Sequence, residues 1–277
     1  MSIPVYISVT SIFQNQDILV PTLNSILKQT VIPDKIFVYL SEEEYLLDSG
    51  FPNRKITDSK LANLIRNSND LIEIKWVKNT GPYRKLLPLM KEKWNEDCII
   101  ITIDDDTLYD KVLVETYLNV HKEHDTCVIG SRGWTPNFND FKDFNYHLRN
   151  PSGNELSSLV SSDGVPLFNF LTGKGGILYK PSFFRKTGDL IFDESIYLNT
   201  NPTQDDIWFY VIRVLNGTPC HVCNTNGTCD AFFKDSTHRT GLFVNFNHKD
   251  DANSKGFRKL YDALKQSYSF RKDDLLS

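Results

Sequence analysis

The chain lacks the features that would send it to a nucleic acid, a membrane or an oxidising compartment. Its 31 lysines and arginines fall below its 35 aspartates and glutamates, leaving a net charge of −4. A broad nucleic-acid surface needs the opposite bias, so no nucleic-acid partner is expected. No apolar run approaches the roughly 20 residues of a bilayer-spanning helix, so no transmembrane segment is expected. The first residues lead straight into a strand without a signal-peptide pattern, and the expected compartment is the cytosol. Cysteines are few and odd in number: Cys98, Cys127, Cys220, Cys223 and Cys229. That argues against a disulfide framework. Cys220, Cys223 and Cys229, with His221 or His238, have the residue types of a zinc site. Yet Cys220 to Cys223 follows an Asn216-Gly217-Thr218 turn and reads as a short strand, whose alternation sends the two thiols to opposite faces. No structural zinc is expected.

What is present is an ordinary globular composition, 40% hydrophobic and 12% aromatic over 277 residues. That is enough chain for a sizeable core. One stretch stands apart. Cys98-Ile99-Ile100-Ile101-Thr102-Ile103 is strongly apolar and runs directly into Asp104-Asp105-Asp106. Such a strand wants burial on both faces, as in the centre of a parallel sheet. Three carboxylates cannot follow it into the interior unpaired, because desolvating them costs several kcal/mol or more. They must emerge at the sheet's carboxyl edge, where open α/β folds bind ligands. A divalent cation carrying a phosphorylated ligand is the natural counter-charge, since hard cations take oxygen ligands.

The rest of the front half alternates in the same style. Strands are expected at Val5 to Ile12, Ile36 to Leu40, Ile72 to Val77 and Thr126 to Gly130. Helices are expected at Asp17 to Gln29, 58–67, Tyr83 to Trp94 and Tyr109 to Glu123. Pro21 is read as falling in the first turn of its helix. This β-α rhythm is that of a doubly wound parallel sheet. Residues 131–170 break it with Asn, Asp, Ser, Gly and aromatics, and read as a long loop region with one hairpin. Order resumes at Gly173-Lys174-Gly175-Gly176-Ile177-Leu178-Tyr179. Two more helices are expected, over Asp205 to Leu215 and Asp251 to Ser267.

Four segments now stand in order: Gly81-Pro82-Tyr83-Arg84-Lys85-Leu86, Ile103 with its Asp triplet, Gly173 to Tyr179, and Gln204-Asp205-Asp206-Ile207-Trp208. Together they resemble the GT-A fold glycosyltransferases, specifically those similar to family 2, over roughly residues 3–220. The resemblance implies a Rossmann-like, mostly parallel sheet flanked by helices. It implies one domain over 1–277, with a nucleotide-binding part to about residue 130 and an acceptor and catalytic-base part beyond it.

The site residues implied by the resemblance are these. Asp104 sits nearest the ribose or base and Asp106 ligates Mn²⁺ or Mg²⁺ bridging the diphosphate, with Asp105 a second candidate for either role. Lys85 reaches the nucleotide. Thr10 and Ser11 line its cleft, and Glu42 or Glu43 contacts the base or ribose. Arg84 either assists the phosphates or is a surface charge. Gly175 and Gly176 admit the donor sugar close to the backbone. Asp206, with Asp205 beside it, is the base that takes the acceptor's proton. His248, slightly ahead of His238, completes the metal site. Arg132, Trp134, Phe138, Tyr146 and His147 belong to the acceptor region, and Trp208 packs in the core or lines it. The implied activity is hexosyl transfer, with inversion, from a nucleoside-diphosphate sugar (UDP foremost) to a glycan or other hydroxyl-bearing acceptor. The competing readings are a sugar nucleotidyltransferase and a non-catalytic nucleotide-sugar-binding module. The former expects a glycine- and basic-rich loop after the first strand, and Ser11-Ile12-Phe13-Gln14-Asn15-Gln16 has neither.

Overall fold

A computed structural model of the chain describes residues 3–136, 140–147, 166–223, 229–232, 241–247 and 249–270. His238, His248 and Phe138 lie outside the described residues. The seven-stranded sheet is built from β1 (Val5–Thr10), β2 (Lys35–Leu40), β3 (Ile72–Trp76), β4 (Ile99–Ile103), β6 (Val128–Gly130), β9 (Ile177–Tyr179) and β10 (Cys220–Val222). Two short pairs flank it: β5 (Thr107–Tyr109) with β11 (Cys229–Phe232), and β7 (Gly133–Trp134) with β8 (Phe170–Leu171). The order across the large sheet is β10-β6-β9-β4-β1-β2-β3. The apolar strand β4 therefore lies in the middle, with all five of its residues buried. That is why it can afford no polar alternation until the chain leaves the sheet.

One strand runs against the rest. β9 is antiparallel to both neighbours, with Leu178 facing Ile101 of β4 and Ile129 of β6. The strand expected at Thr126 to Gly130 therefore does not adjoin β4, as a purely parallel winding would have it. The remaining pairings, β1–β2, β2–β3, β1–β4 and β6–β10, are all parallel. Gly176 makes the reversal possible. It precedes β9 at φ 77° and ψ 149°, a region that side-chain-bearing residues avoid. Its carbonyl and that of Gly175 both accept from the buried Tyr117 hydroxyl, at 2.9 and 2.7 Å.

The helices are α1 (Gln16–Ile26), α2 (Ser59–Arg66), α3 (Leu87–Glu92), α4 (Leu113–Glu123), α5 (Glu194–Thr200), α6 (Asp205–Leu215) and α7 (Ala252–Leu264). Three differ from expectation. α1 begins early enough that Pro21 falls in its second turn rather than its first. The segment read as one helix from Tyr83 is a 3₁₀ turn, Gly81–Lys85, followed by the shorter α3. Leu86 at φ −125° breaks the two apart, and Pro88, which has no N–H to contribute, starts the second. Tyr109 belongs to β5, so α4 starts four residues later than Tyr109, at Leu113. At the described ends of the 131–170 stretch, β7 and β8 pair antiparallel, Gly133 with Leu171 and Trp134 with Phe170. Among the described cysteines, Cys98, Cys127, Cys220 and Cys223 are free and buried. No helix among the described residues is long and apolar enough to cross a membrane.

A Cβ at Gly176 would meet nothing closer than 3.5 Å, so its cost would be conformational rather than steric. Gly176→Ala should lower unfolding stability by about 1–3 kcal/mol, read from the urea midpoint; an unchanged midpoint would show that the turn relaxes without strain.

Candidate active site

Strand order alone gathers the acidic motifs. β1 and β4 are parallel neighbours, so Thr10 and Ser11 emerge beside Asp104, Asp105 and Asp106. The 3₁₀ turn after β3 brings Arg84 and Lys85 to the same edge, and the turn before β9 brings Gly173 and Lys174. The first turn of α6 adds Asp205 and Asp206. All of these except Gly173 line one cavity of about 570 Å³.

The three aspartates of the triplet have three different surroundings. Asp105 is turned inward: its Oδ2 accepts from Ser11 Oγ at 2.5 Å and Asn15 Nδ2 at 3.1 Å. Its carbonyl accepts from Thr22 Oγ1 at 2.7 Å. Burial pushes its carboxyl up to about 6 against those bonds. Asp104 accepts from the Lys85 ammonium at 3.1 Å. Among the described residues, Asp106 has the Thr107 hydroxyl at 3.4 Å and a backbone N–H as donors and forms no ion pair. Burial, then the flanking Asp105 and Asp104, push its carboxyl up to about 7. The structure thus separates one structural carboxylate, one paired carboxylate and one that faces the cavity with no ion-pair partner among the described residues.

Lys85 links this triplet to the second acidic motif. Its Nζ lies 3.1 Å from Asp104 Oδ1 and 2.9 Å from Asp205 Oδ2, and the residue is only 8% exposed. Burial pulls the ammonium down, but Asp104 and Asp205 outweigh it and hold it well above the usual lysine range. Asp206, the next residue, accepts from the Gly173 N–H at 3.1 Å. Burial and the Asp205 charge raise its carboxyl to about 7, with Lys85 opposing them. A carboxyl so placed exchanges its proton near neutrality, as a general base must.

Other expected residues are distributed unevenly. Thr10 and Ser11 line the cavity. Glu42 does not: it is exposed and pairs with Arg54 at 2.6 Å. Gly175 and Gly176 do not line it either. A Cβ on Gly175 would lie 2.5 Å from Ser131 Oγ, so this glycine serves packing against the 131–132 backbone, while neighbouring Lys174 faces the cavity. Arg132, Tyr146 and His147 also line it. Trp134 is buried between Phe170 and Tyr146, and Trp208 is buried with its indole N–H on the Ile191 carbonyl at 3.1 Å.

Two residues matter more than the sequence suggested. Arg84 is no surface charge; it is 1% exposed and forms an ion pair with Asp48 at 2.9 Å. Asp48 also accepts from the N–H groups of Phe13 and Gly50 and from Asn79 Nδ2, each at 3.0 Å. Asp48 went unread in the sequence, although an aspartate two residues before a glycine, after Leu46-Leu47, is a turn signal.

The donor set fits a hard divalent cation in a limited way. Among the described residues, no three His, Cys, Asp or Glu side chains form a metal-holding group. Asp106 nonetheless presents carboxylate oxygens that pair with no cation among the described residues. Mg²⁺ is commonly held by one or two carboxylates together with substrate phosphates rather than by a protein cage.

No family model and no curated protein matches the sequence. Solved structures do. S. aureus TarS 1-349 superposes with a TM-score of 0.53 at 15% identity, covering 96% of this chain and 72% of that one. The same TarS segment in complex with UDP-GlcNAc gives 0.52 at 14%, covering 96% and 74%. Against a longer TarS chain the values are 0.52 and 16%, and this chain spans only 45% of it. The likeness shows the fold, which is GT-A.

Arg84→Met should strand the Asp48 carboxylate in the interior. We expect a loss of about 3–5 kcal/mol in urea-unfolding stability; a loss below about 1 kcal/mol would mean that water reaches Asp48.

Proposed function

We propose that the chain is a glycosyltransferase, moving a sugar with inversion from a nucleoside-diphosphate donor to an acceptor hydroxyl. The observation that carries this reading is the sharing of one cavity by two differently compensated acidic motifs. Asp106 faces it without an ion-pair partner among the described residues, and Asp206 faces it steered by the Gly173 N–H. The first suits a cation–diphosphate complex, and the second suits removal of a proton. UDP is the favoured donor nucleotide, supported by the TarS structures in complex with UDP and with UDP-GlcNAc. The compartment favoured is the cytosol, on the odd cysteine count.

In this reading Asp206 accepts the acceptor's proton as its oxygen attacks the anomeric carbon, and the bond to the diphosphate breaks. The cationic side chains lining the cavity include Lys174 and Arg132, which favour the departing charge. Asp106, with Asp104 near it, would hold Mg²⁺ or Mn²⁺, which when bound supplies Lewis-acid neutralisation of the nucleoside diphosphate. Ser11 and Asn15 keep Asp105 out of that role by holding its carboxylate.

Asp206→Asn should lower turnover by about 10²–10⁴-fold while UDP still binds in titration calorimetry. Near-normal turnover would remove Asp206 from the mechanism. Because the base works only when deprotonated and its carboxyl is raised to about 7, the rate should rise with pH up to neutrality. Below it, the rate should fall about tenfold per pH unit; a profile flat from pH 5 to 8 would contradict this. Asp106→Ala should abolish the dependence of UDP binding on added Mn²⁺, and an unaltered calorimetric titration would refute the metal role.

A further inference from the structure

The resemblance assigns Lys85 to the nucleotide, but its surroundings point elsewhere. Its ammonium is committed to two carboxylates from different parts of the chain, Asp104 after β4 and Asp205 at the start of α6. Its backbone carbonyl accepts from the buried Ser8 Oγ on β1 at 2.5 Å, so the backbone that carries the side chain is anchored to the sheet. Gly173 completes the arrangement from the other side. A Cβ there would lie 2.6 Å from Lys85 Nζ, 3.2 Å from Asp104 Oδ1 and 3.4 Å from Asp206 Oδ1. The missing side chain is the space in which the ammonium and the carboxylates meet, and the same residue's N–H holds Asp206.

We propose that Lys85 and Gly173 are positioning residues for transfer: the ammonium is a strut fixing the base-bearing motif Asp205-Asp206 at a set distance from the donor-bearing motif Asp104-Asp106, and Gly173 makes room for it. This rests on the transferase reading. Lys85 acts through Asp205 and Asp104 and does not touch the substrate. The requirement is geometric. Attack on the anomeric carbon needs the base on the acceptor side and the diphosphate on the other, and a shift of about 1 Å can cost about 100-fold in rate. α6 and β4 belong to separate parts of the chain, and a charged pair of contacts in the cavity wall sets their spacing. An ammonium is suited to this. It is compact and donates in three directions.

Lys85→Met alone leaves Asp205 buried and unpaired, so it will unfold more easily whatever Lys85 does in transfer. The informative variant is Lys85→Met with Asp205→Asn, which removes both charges of the buried pair. We expect its urea midpoint to recover toward that of the wild type, its UDP affinity to stay within about threefold, and its kcat to remain about 100-fold down. Gly173→Ala, which keeps every charge, should likewise lower kcat with UDP affinity retained. Recovery of kcat together with stability in the double variant would overturn the proposal, leaving Lys85 as a charge neutraliser only. Loss of UDP affinity in step with kcat would overturn it in favour of a nucleotide contact. The unfolding midpoints of the two single and the double variant form a cycle that needs no substrate; additive effects there would refute the strut itself. A wild-type protein that binds UDP but transfers no sugar would instead defeat the transferase reading, and with it the role in transfer.

Discussion

Charge withdrawn from water must be answered locally, and at the carboxyl edge of this sheet six aspartates share one cavity. Asp48, Asp104, Asp105, Asp106, Asp205 and Asp206 all line it. The fold answers each in its own currency: a guanidinium for Asp48, hydroxyl and amide donors for Asp105, one ammonium for Asp104 and Asp205, and a backbone N–H for Asp206. Among the described residues, Asp106 is left with a distant hydroxyl and a backbone N–H. Removing a partner from a buried pair costs more than the pair itself contributes. The buried cations therefore do more than line the site; they determine which carboxylates are free to act.

How much of this was legible beforehand depended on whether the signal was local. The apolar run ending in Asp104 declared a central strand and its emergence at an edge, because no other placement satisfies both its Ile residues and its acids. The helix at Asp205 was legible from its periodicity. The register within the triplet was not, since three identical residues carry no internal signal; the distinction came from Ser11 and Asn15, about ninety residues away in sequence. The stretch from Tyr83 to Trp94 read as one helix, with Lys85 reaching the nucleotide and Arg84 either assisting the phosphates or lying on the surface. A 3₁₀ turn rolled them inward instead, and only their distant partners Asp48, Asp104 and Asp205 make that burial tolerable. Glu42 was misplaced for the converse reason: a strand end is a good place for a ligand, but its side chain found Arg54 in solvent.

Glycines were read as approach points for a sugar, and the structure divides them more finely. Gly173 lies at the acidic cluster, Gly175 closes against residue 131, and Gly176 takes the backbone torsion that starts β9. Consecutive glycines in one turn thus meet three separate demands, which the sequence writes with a single letter.

The reversed strand has a consequence for how the molecule can be assembled. β6 and β10 reach the large sheet only through β9, whose partner in β4 lies more than seventy residues earlier in the chain. Local hairpin closure cannot supply that contact, and loops of this length form late because their entropy must be met before the pairing rewards it. β6 pairs with β10 across a longer separation still, Val128 with Cys220, so neither contact on this side of the sheet can form by local closure, and residues 177–179 must lie between β4 and β6 for the two sides to join. The turn holding Gly173 is immediately upstream, so the step that joins the halves is also the step that brings the Asp206 clamp to the Asp triplet. A nascent chain that stops short of this strand has its acidic motif in place and nothing to set against it.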